Sequence, residues 1–236
     1  MNRHISFSFR HFNIDDSNCG MKVGTDGVAL GAWVNCLGVH KAIDVGCGSG
    51  LIALMIAQRC EARVDAIDID KGACWDALSN VAVSPWAQLI TVHNLNMSEF
   101  RPDYQADLVV SNPPFFADGE QAPTIERAIA RHEGSLNYCT LIDFAVNHLT
   151  HDGRLAFIYP YGREDEIIYK AEMSHLKLRR IASLRQNPSR QPIRTMFEFC
   201  RVDGPIEKED IAIRTIDGLK YSTLFAEICR DFYLQL

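Results

Sequence analysis

The segment Asp44-Val45-Gly46-Cys47-Gly48-Ser49-Gly50 lies between a short apolar run, Ala42–Val45, and a strongly apolar one, Leu51–Gln58. The first run reads as a strand and the second as a helix, so the glycines occupy a strand-to-helix turn. Glycine lets a backbone turn sharply and approach a ligand closely. In a sheet covered by helices, such a ligand belongs beyond the carboxyl end of the strand. A second strand, Val64–Ile69, carries Asp68 at its end, at the distance from the glycines where an acid can bind both hydroxyls of a ribose. Asp70 falls in the other register or starts the next helix. The glycines are spaced GxGxG, with Leu51 where the dinucleotide fingerprint requires its last glycine. That spacing argues against a nicotinamide oxidoreductase.

Strand and helix patterns keep alternating. Met21–Leu37 suits a short helix starting near Thr25 or Asp26, either of which can serve as N-cap. Lys71–Val83 is an amphipathic helix stopped by Ser84-Pro85. Ile90–His93, Leu108–Ser111 and Arg154–Tyr159 read as strands, with a helix over Leu136–Leu149. Residues 164–176 look helical, strand-like pieces follow at 179–184, 195–202 and 210–216, and Ser222–Leu234 is a closing helix. The first twenty residues suit a hairpin or arm. This order predicts an α/β fold with a largely parallel sheet covered by helices on both faces. The 236 residues show no linker, so one domain spanning 1–236 is expected, with 1–40 as an arm and helix leading into the core.

Composition excludes several classes. No apolar run reaches the roughly 18 residues of a membrane span, and MNRHISFSFR has no apolar signal region. The eight cysteines form no CxxC pair, so they read as small buried side chains in a reducing cytosol, with no metal expected. A net charge of −6 counts against coating nucleic acid through a uniform field, though not against a local basic path.

The reaction class is read from Asp107-Leu108-Val109-Val110-Ser111-Asn112-Pro113-Pro114-Phe115. Two successive prolines cannot continue a central strand, so the backbone leaves the sheet there. Asn112 is thereby held at the carboxyl edge, beside the glycine loop. An exocyclic amine conjugated to a ring is a poor nucleophile because its lone pair is delocalised. The Asn112 carboxamide oxygen and the Pro113 carbonyl can each accept one of its hydrogens, leaving the lone pair facing an electrophile. Phe115 can stack on a flat, unpaired base.

The glycine loop with its strand-end acid resembles the S-adenosylmethionine site of the seven-stranded class I methyltransferases, a Rossmann-like fold. The resemblance implies that Gly46, Gly48 and Gly50 pack under the methionine and ribose, with Asp44 near the amino-acid end. Asn112-Pro113-Pro114-Phe115 is similar to the motif of methyltransferases acting on adenine N6, guanine N2 or a glutamine amide. Three further stretches, Lys22-Val23-Gly24-Thr25-Asp26-Gly27, Leu30-Gly31-Ala32-Trp33 and Tyr221-Ser222…Phe232-Tyr233-Leu234, extend the match over nearly the whole chain. Together they resemble the bacterial valine-tRNA (adenine-37-N6)-methyltransferase family. That resemblance implies a cytoplasmic, metal-free enzyme acting on tRNA, expected to be a monomer, with Thr25 and Asp26 bordering the cofactor. Many members of the wider class carry an acid after the third strand for the cofactor's adenine amine. Here Asn96 stands there, and its side-chain oxygen can accept the same hydrogen bond. Asn112 also borders the cofactor.

From Ser174 to Phe197 there is no acid, whereas Lys177, Arg179, Arg180, Arg185, Arg190 and Arg194 are basic. Such clusters bind phosphates. Lys177, Arg179 and Arg180 are the candidates here, with Arg131 and His132 near the pocket. An N5-glutamine methyltransferase acting on a protein and an N2-guanine rRNA methyltransferase are the alternatives. The first usually carries an extra N-terminal helical domain, for which the stretch before the loop is short.

Overall fold

The computed structural model describes residues 4–114 and 136–235. A small hairpin of β1 (Phe7–Ser8) and β2 (Asn13–Ile14) leads in. Then come α1 (Thr25–Trp33), β3 (Lys41–Val45), α2 (Leu51–Cys60), β4 (Arg63–Asp68), α3 (Lys71–Ala82) and β5 (Ile90–Asn94). A 3-10 turn, Met97–Glu99, precedes β6 (Ala106–Ser111). The second half runs α4 (Tyr138–His148), β7 (Leu149–Pro160), α5 (Glu164–Met173), β8 (Lys177–Arg185), β9 (Pro192–Cys200), β10 (Glu207–Ala212) and α6 (Thr223–Ile228).

Eight strands form one sheet in the order β10-β8-β9-β7-β6-β3-β4-β5. All neighbours are parallel except β9, which runs antiparallel to both β7 and β8. Strands β3 to β10 answer to the eight strand-like stretches of the sequence, one more than the seven-stranded sheet that the resemblance implies, with β10 alongside β8. Strand order reverses at β3, which pairs with β4 on one side and β6 on the other. The crevice beyond the carboxyl ends of β3 and β6 is therefore the switch point where open α/β sheets bind ligands.

The central strands are apolar on both faces because both are covered. On β3 and β6, Ala42, Leu108 and Val110 face a core shared with α1 and α2. Ile43, Val45 and Val109 face a second core shared with α4 and α5. The eight cysteines carry free thiols, and six of them are buried.

Two of the boundaries that differ from the sequence reading concern helices at the ends of the chain. The N-cap of α1 is Gly24 in extended conformation, without a side-chain cap, so Thr25 and Asp26 already lie in the first turn. The closing helix begins at the expected cap, Ser222, whose Oγ accepts the Phe225 N–H at 3.1 Å, but it ends at Ile228. Beyond it the chain turns so that Tyr233 packs on Phe9 and Tyr221, with ring centroids 6.1 and 5.5 Å apart. The Phe232 carbonyl takes the Arg10 N–H at 2.8 Å.

Candidate active site

Strand β3 delivers the glycine loop. Asp44 is fully buried, and its Oδ2 accepts the Ala53 N–H at 3.0 Å, tying β3 to the first turn of α2. Its Oδ1 has no partner among the described residues. Burial pushes the Asp44 carboxyl up to about 7; the Ala53 bond opposes the rise and the nearby Asp68 charge adds to it. Gly46, Gly48 and Gly50 have φ of 70°, 55° and 82°, the left-handed region that disfavours side chains. A Cβ on Gly46 would lie 2.6 Å from Leu136 Cδ2, and one on Gly50 3.3 Å from Ala77 Cβ, so the loop is pressed against its neighbours.

Asp68 organises the loop from β4. Its Oδ2 accepts the Gly48 N–H and its Oδ1 the Asp70 N–H, each at 2.8 Å. Each carboxylate oxygen keeps further acceptor capacity. Burial raises the Asp68 pKa, although the backbone bonds from Asp70 and Gly48 pull it down. Asp70 starts the next helix, as one of the two sequence readings has it: it caps α3 by accepting the Ala73 N–H at 2.7 Å.

These elements surround a cavity of about 670 Å³, whose wall includes Gly46, Gly48, Asp68, Asn96, Asn112 and Pro114. Asn96 caps the 3-10 turn, accepting the Ser98 N–H at 2.9 Å, while standing in the wall. Asn112 follows β6, whose last residue, Ser111, donates to the Val45 carbonyl at 2.7 Å and so clamps the ends of β6 and β3 together. The Asn112 Oδ1 is buried with no partner among the described residues. Its Nδ2 lies 3.6 Å from where a Cβ on Gly27 would stand, so Gly27 leaves room for the carboxamide.

Four residues assigned to the cofactor from sequence do not line this cavity: Thr25, Asp26, Asp44 and Gly50. Thr25 is exposed. The Asp26 carboxylate turns to Arg194 Nε at 2.7 Å, Asp44 is committed to α2, and Gly50 packs on Ala77. Gly24 and Gly27 take their place in the wall. Phe115, Arg131 and His132 lie outside the described residues.

Sequence reasoning missed how the segment Cys19–Gly24, which forms one wall, is held. Asp76 on α3 is 2% exposed; its carboxylate accepts the N–H groups of Asn18 and Cys19 at 2.7 and 2.8 Å and the Asn18 amide at 2.7 Å. Asp16 accepts the Val23 N–H at 2.7 Å. Asn80 donates to the carbonyls of Ser49 and Asp15 at 2.9 and 2.8 Å. A signal was present: Asp76 and Asn80 stand four apart on the stripe formed by Ala73, Cys74, Ala77 and Val81, where polar residues have to find internal partners.

The basic segment divides between the two ends of the sheet. Lys177 pairs in register with Cys200, which also opposes Arg154, at the amino ends of β7 and β8. Arg185 and Arg194 oppose Pro192 and Pro160 at the carboxyl end, the end where Asn112 sits. Lys177, Arg179 and Arg180 therefore do not border the cavity beside Asn112. The acids missing from the segment arrive on β10: Arg180 pairs with Glu209 at 3.0 Å and Glu207 at 3.4 Å, and Arg185 with Asp210 at 2.8 Å.

Among known proteins, the methyltransferase small domain model matches residues 33–161. The tRNA1(Val) (adenine(37)-N6)-methyltransferase of Parabacteroides distasonis is 38% identical over 98% of this chain and 98% of that protein. The enzyme of the same name from Yersinia pseudotuberculosis is 38% identical over 97% of this chain and 92% of its own length. In fold, the chain is similar to a predicted O-methyltransferase from Agrobacterium tumefaciens (TM-score 0.65, 14% identity, 88% of this chain and 96% of that one). It is also similar to a ribosomal protein L11 methylase from Lactobacillus delbrueckii (TM-score 0.57, 18% identity, 80% and 84%). The glycine loop, the strand-end acid and the asparagine at the switch point thus stand in a chain that belongs to the methyltransferase small domain family and, within it, to the tRNA1(Val) (adenine(37)-N6)-methyltransferase family.

Proposed function

We propose that the protein transfers a methyl group from S-adenosylmethionine to the exocyclic N6 amine of adenine 37 in valine tRNA. The observation that carries this reading is the buried Asn112 Oδ1, without a partner among the described residues, in the wall of the same cavity as Asp68.

The residues present fit the cofactor. Asp68 offers acceptor capacity for a ribose diol, Gly46 and Gly48 give a wall without side chains, and Ile69, Leu95 and Met97 supply apolar surface for a flat base. When bound, S-adenosylmethionine supplies an electrophilic sulfonium methyl. The chain's own part is to hold the amine. Asn112 Oδ1 accepts one of its hydrogens and the Pro113 carbonyl accepts the other, which points the nitrogen lone pair into the cavity. Pro114 fixes the turn that keeps these acceptors beyond the sheet edge. Positioning and electrostatics account for the rate, without a strong general base. In this reading Phe115 is the residue that stacks on the target adenine, and Arg131 and His132 are the residues that contact the RNA. A loop adenine that is already partly unstacked costs less to extract than a base in a duplex. In this reading the enzyme works in the cytoplasm as a monomer.

The test is radiolabelled methyl transfer to total tRNA from a strain lacking the gene, followed by nucleoside mass spectrometry and fragment mapping. N6-methyladenosine at position 37 of valine tRNA is expected. Label in protein, or N2-methylguanosine in RNA, overturns the reading.

A further inference from the structure

A second cavity, of about 450 Å³, lies at the amino end of the sheet, by the carboxyl end of α1. Four arginines line it: Arg59 from the last turn of α2, Arg154 from β7, and Arg179 and Arg180 from β8. They are held in different ways. Arg180 is surrounded by acid, with Glu209, Glu207 and Glu198 at 3.0, 3.4 and 3.5 Å, and it lies over the Trp33 ring at 4.1 Å. The other three form no ion pair among the described residues.

Arg59 Nη1 donates to the carbonyls of Gly31 and Val34 at 3.0 and 2.6 Å. Arg154 Nη2 donates to the Leu37 carbonyl at 2.6 Å, while its Nε is buried with no acceptor among the described residues. Arg179 packs against Gly204, where any Cβ would meet its guanidinium. Neutral carbonyls and a glycine surface fix the direction of a guanidinium without cancelling its charge. Of the acids in the wall, Glu207 pairs with Arg180, Glu198 pairs with Arg180 and also feels the Arg154 charge, and the exposed Asp152 accepts from the His151 ring at 2.9 Å.

Three guanidiniums that form no ion pair among the described residues, on one cavity, match an oxyanion with several equivalent oxygens, which planar forks bind in bidentate fashion. The cavity is larger than a bare oxyanion needs and falls in the range of small-ligand sites. We propose that this cavity binds a phosphate ester through Arg59, Arg154 and Arg179, either as a free nucleotide or as a phosphate of an RNA backbone. The inference does not depend on the methyl-transfer reading, because the two cavities lie at opposite ends of the sheet.

Isothermal titration of the full chain, in low-salt buffer free of phosphate and sulfate, tests this. The probes are inorganic phosphate, adenosine 5′-monophosphate and unmodified tRNA, each against wild type, Arg179→Gln and Arg59→Gln. S-adenosylhomocysteine affinity in the same samples shows that the variants are folded. Loss of one charged partner should weaken binding by roughly tenfold or more. If phosphate or the nucleotide binds saturably and Arg179→Gln weakens it by that factor, the source is a free ester. If only tRNA affinity falls, the source is the RNA backbone. If no probe distinguishes wild type from Arg179→Gln while S-adenosylhomocysteine still binds, the proposal is overturned.

Discussion

An amide oxygen buried without a partner costs roughly 1–3 kcal/mol relative to a bonded one, and the Asn112 Oδ1 in the cavity wall has no partner among the described residues. Replacing it with alanine should remove an acceptor used in the reaction while leaving the cofactor contacts of Asp68 intact. Asn112→Ala is expected to lower kcat by roughly 10²–10³ with S-adenosylhomocysteine affinity preserved; unchanged turnover excludes the mechanism. Asp68→Ala should do the reverse, weakening S-adenosylhomocysteine by roughly a hundredfold if two charged hydrogen bonds are lost, as read by titration. Asp44 makes a different prediction. Its carboxyl is raised from 3.8 to about 7 by burial, so the folded state holds a proton that the unfolded chain releases. Stability should therefore fall as pH rises through that window, by about 4 kcal/mol at most, and level off above it. Asp44→Asn keeps an acceptor for the Ala53 N–H and should flatten this slope, which urea melts at a series of pH values measure. These residues were legible because glycine spacing, a strand-end acid and a proline pair are constraints on the backbone, visible without knowing any neighbour. The missing lining contacts of Thr25, Asp26, Asp44 and Gly50 were not legible, since each depends on a partner remote in sequence or on the direction of one side chain.

At the scale of elements, α3 does more than cover the sheet: through Asp76 it holds the segment that walls the cavity. Asp76→Ala leaves three donors to find other partners, at about 1–3 kcal/mol each for those that stay buried. The expected result is a clear fall in Tm together with weaker S-adenosylhomocysteine binding. Asp76→Asn, which keeps one acceptor oxygen, should recover part of both. A Tm loss with unchanged affinity would show that the segment stays in place without this tie. Element order was readable because apolar runs and their punctuation repeat regularly. Helix ends were less so: α6 stops at Ile228, and beyond it Tyr233 packs on Phe7 and Phe9 while the Phe232 carbonyl takes the Arg10 N–H, contacts which no local propensity encodes.

Across the whole molecule, the acid-free stretch shows what a linear reading of charge misses. In sequence it is a basic run; in space β10 lies parallel to β8 and places Glu207, Glu209 and Asp210 beside it. Arg180 binds three carboxylates, one of them on the nearly buried Glu198. Arg180→Met should thus destabilise the protein by about 3 kcal/mol, because it removes the ion-pair partner of a buried acid and leaves it only the Arg154 charge. The loss should shrink at lower pH as Glu198, whose pKa burial raises although Arg180 lowers it, takes up a proton. Chemical denaturation at two pH values checks this.

The pairing of β3 with β6 also sets the timing of assembly. Ala42, Ile43 and Asp44 meet Leu108, Val109 and Val110, strand partners made far apart during synthesis. Ribosomes add about 5–20 residues per second, so a nascent chain carries its glycine loop for seconds before Asn112 exists to complete the opposite wall. Contacts between such distant segments also form slowly on refolding. A chain stopped short of Asn112 consequently carries the glycine loop and Asp68 but lacks the acceptor wall for the target amine.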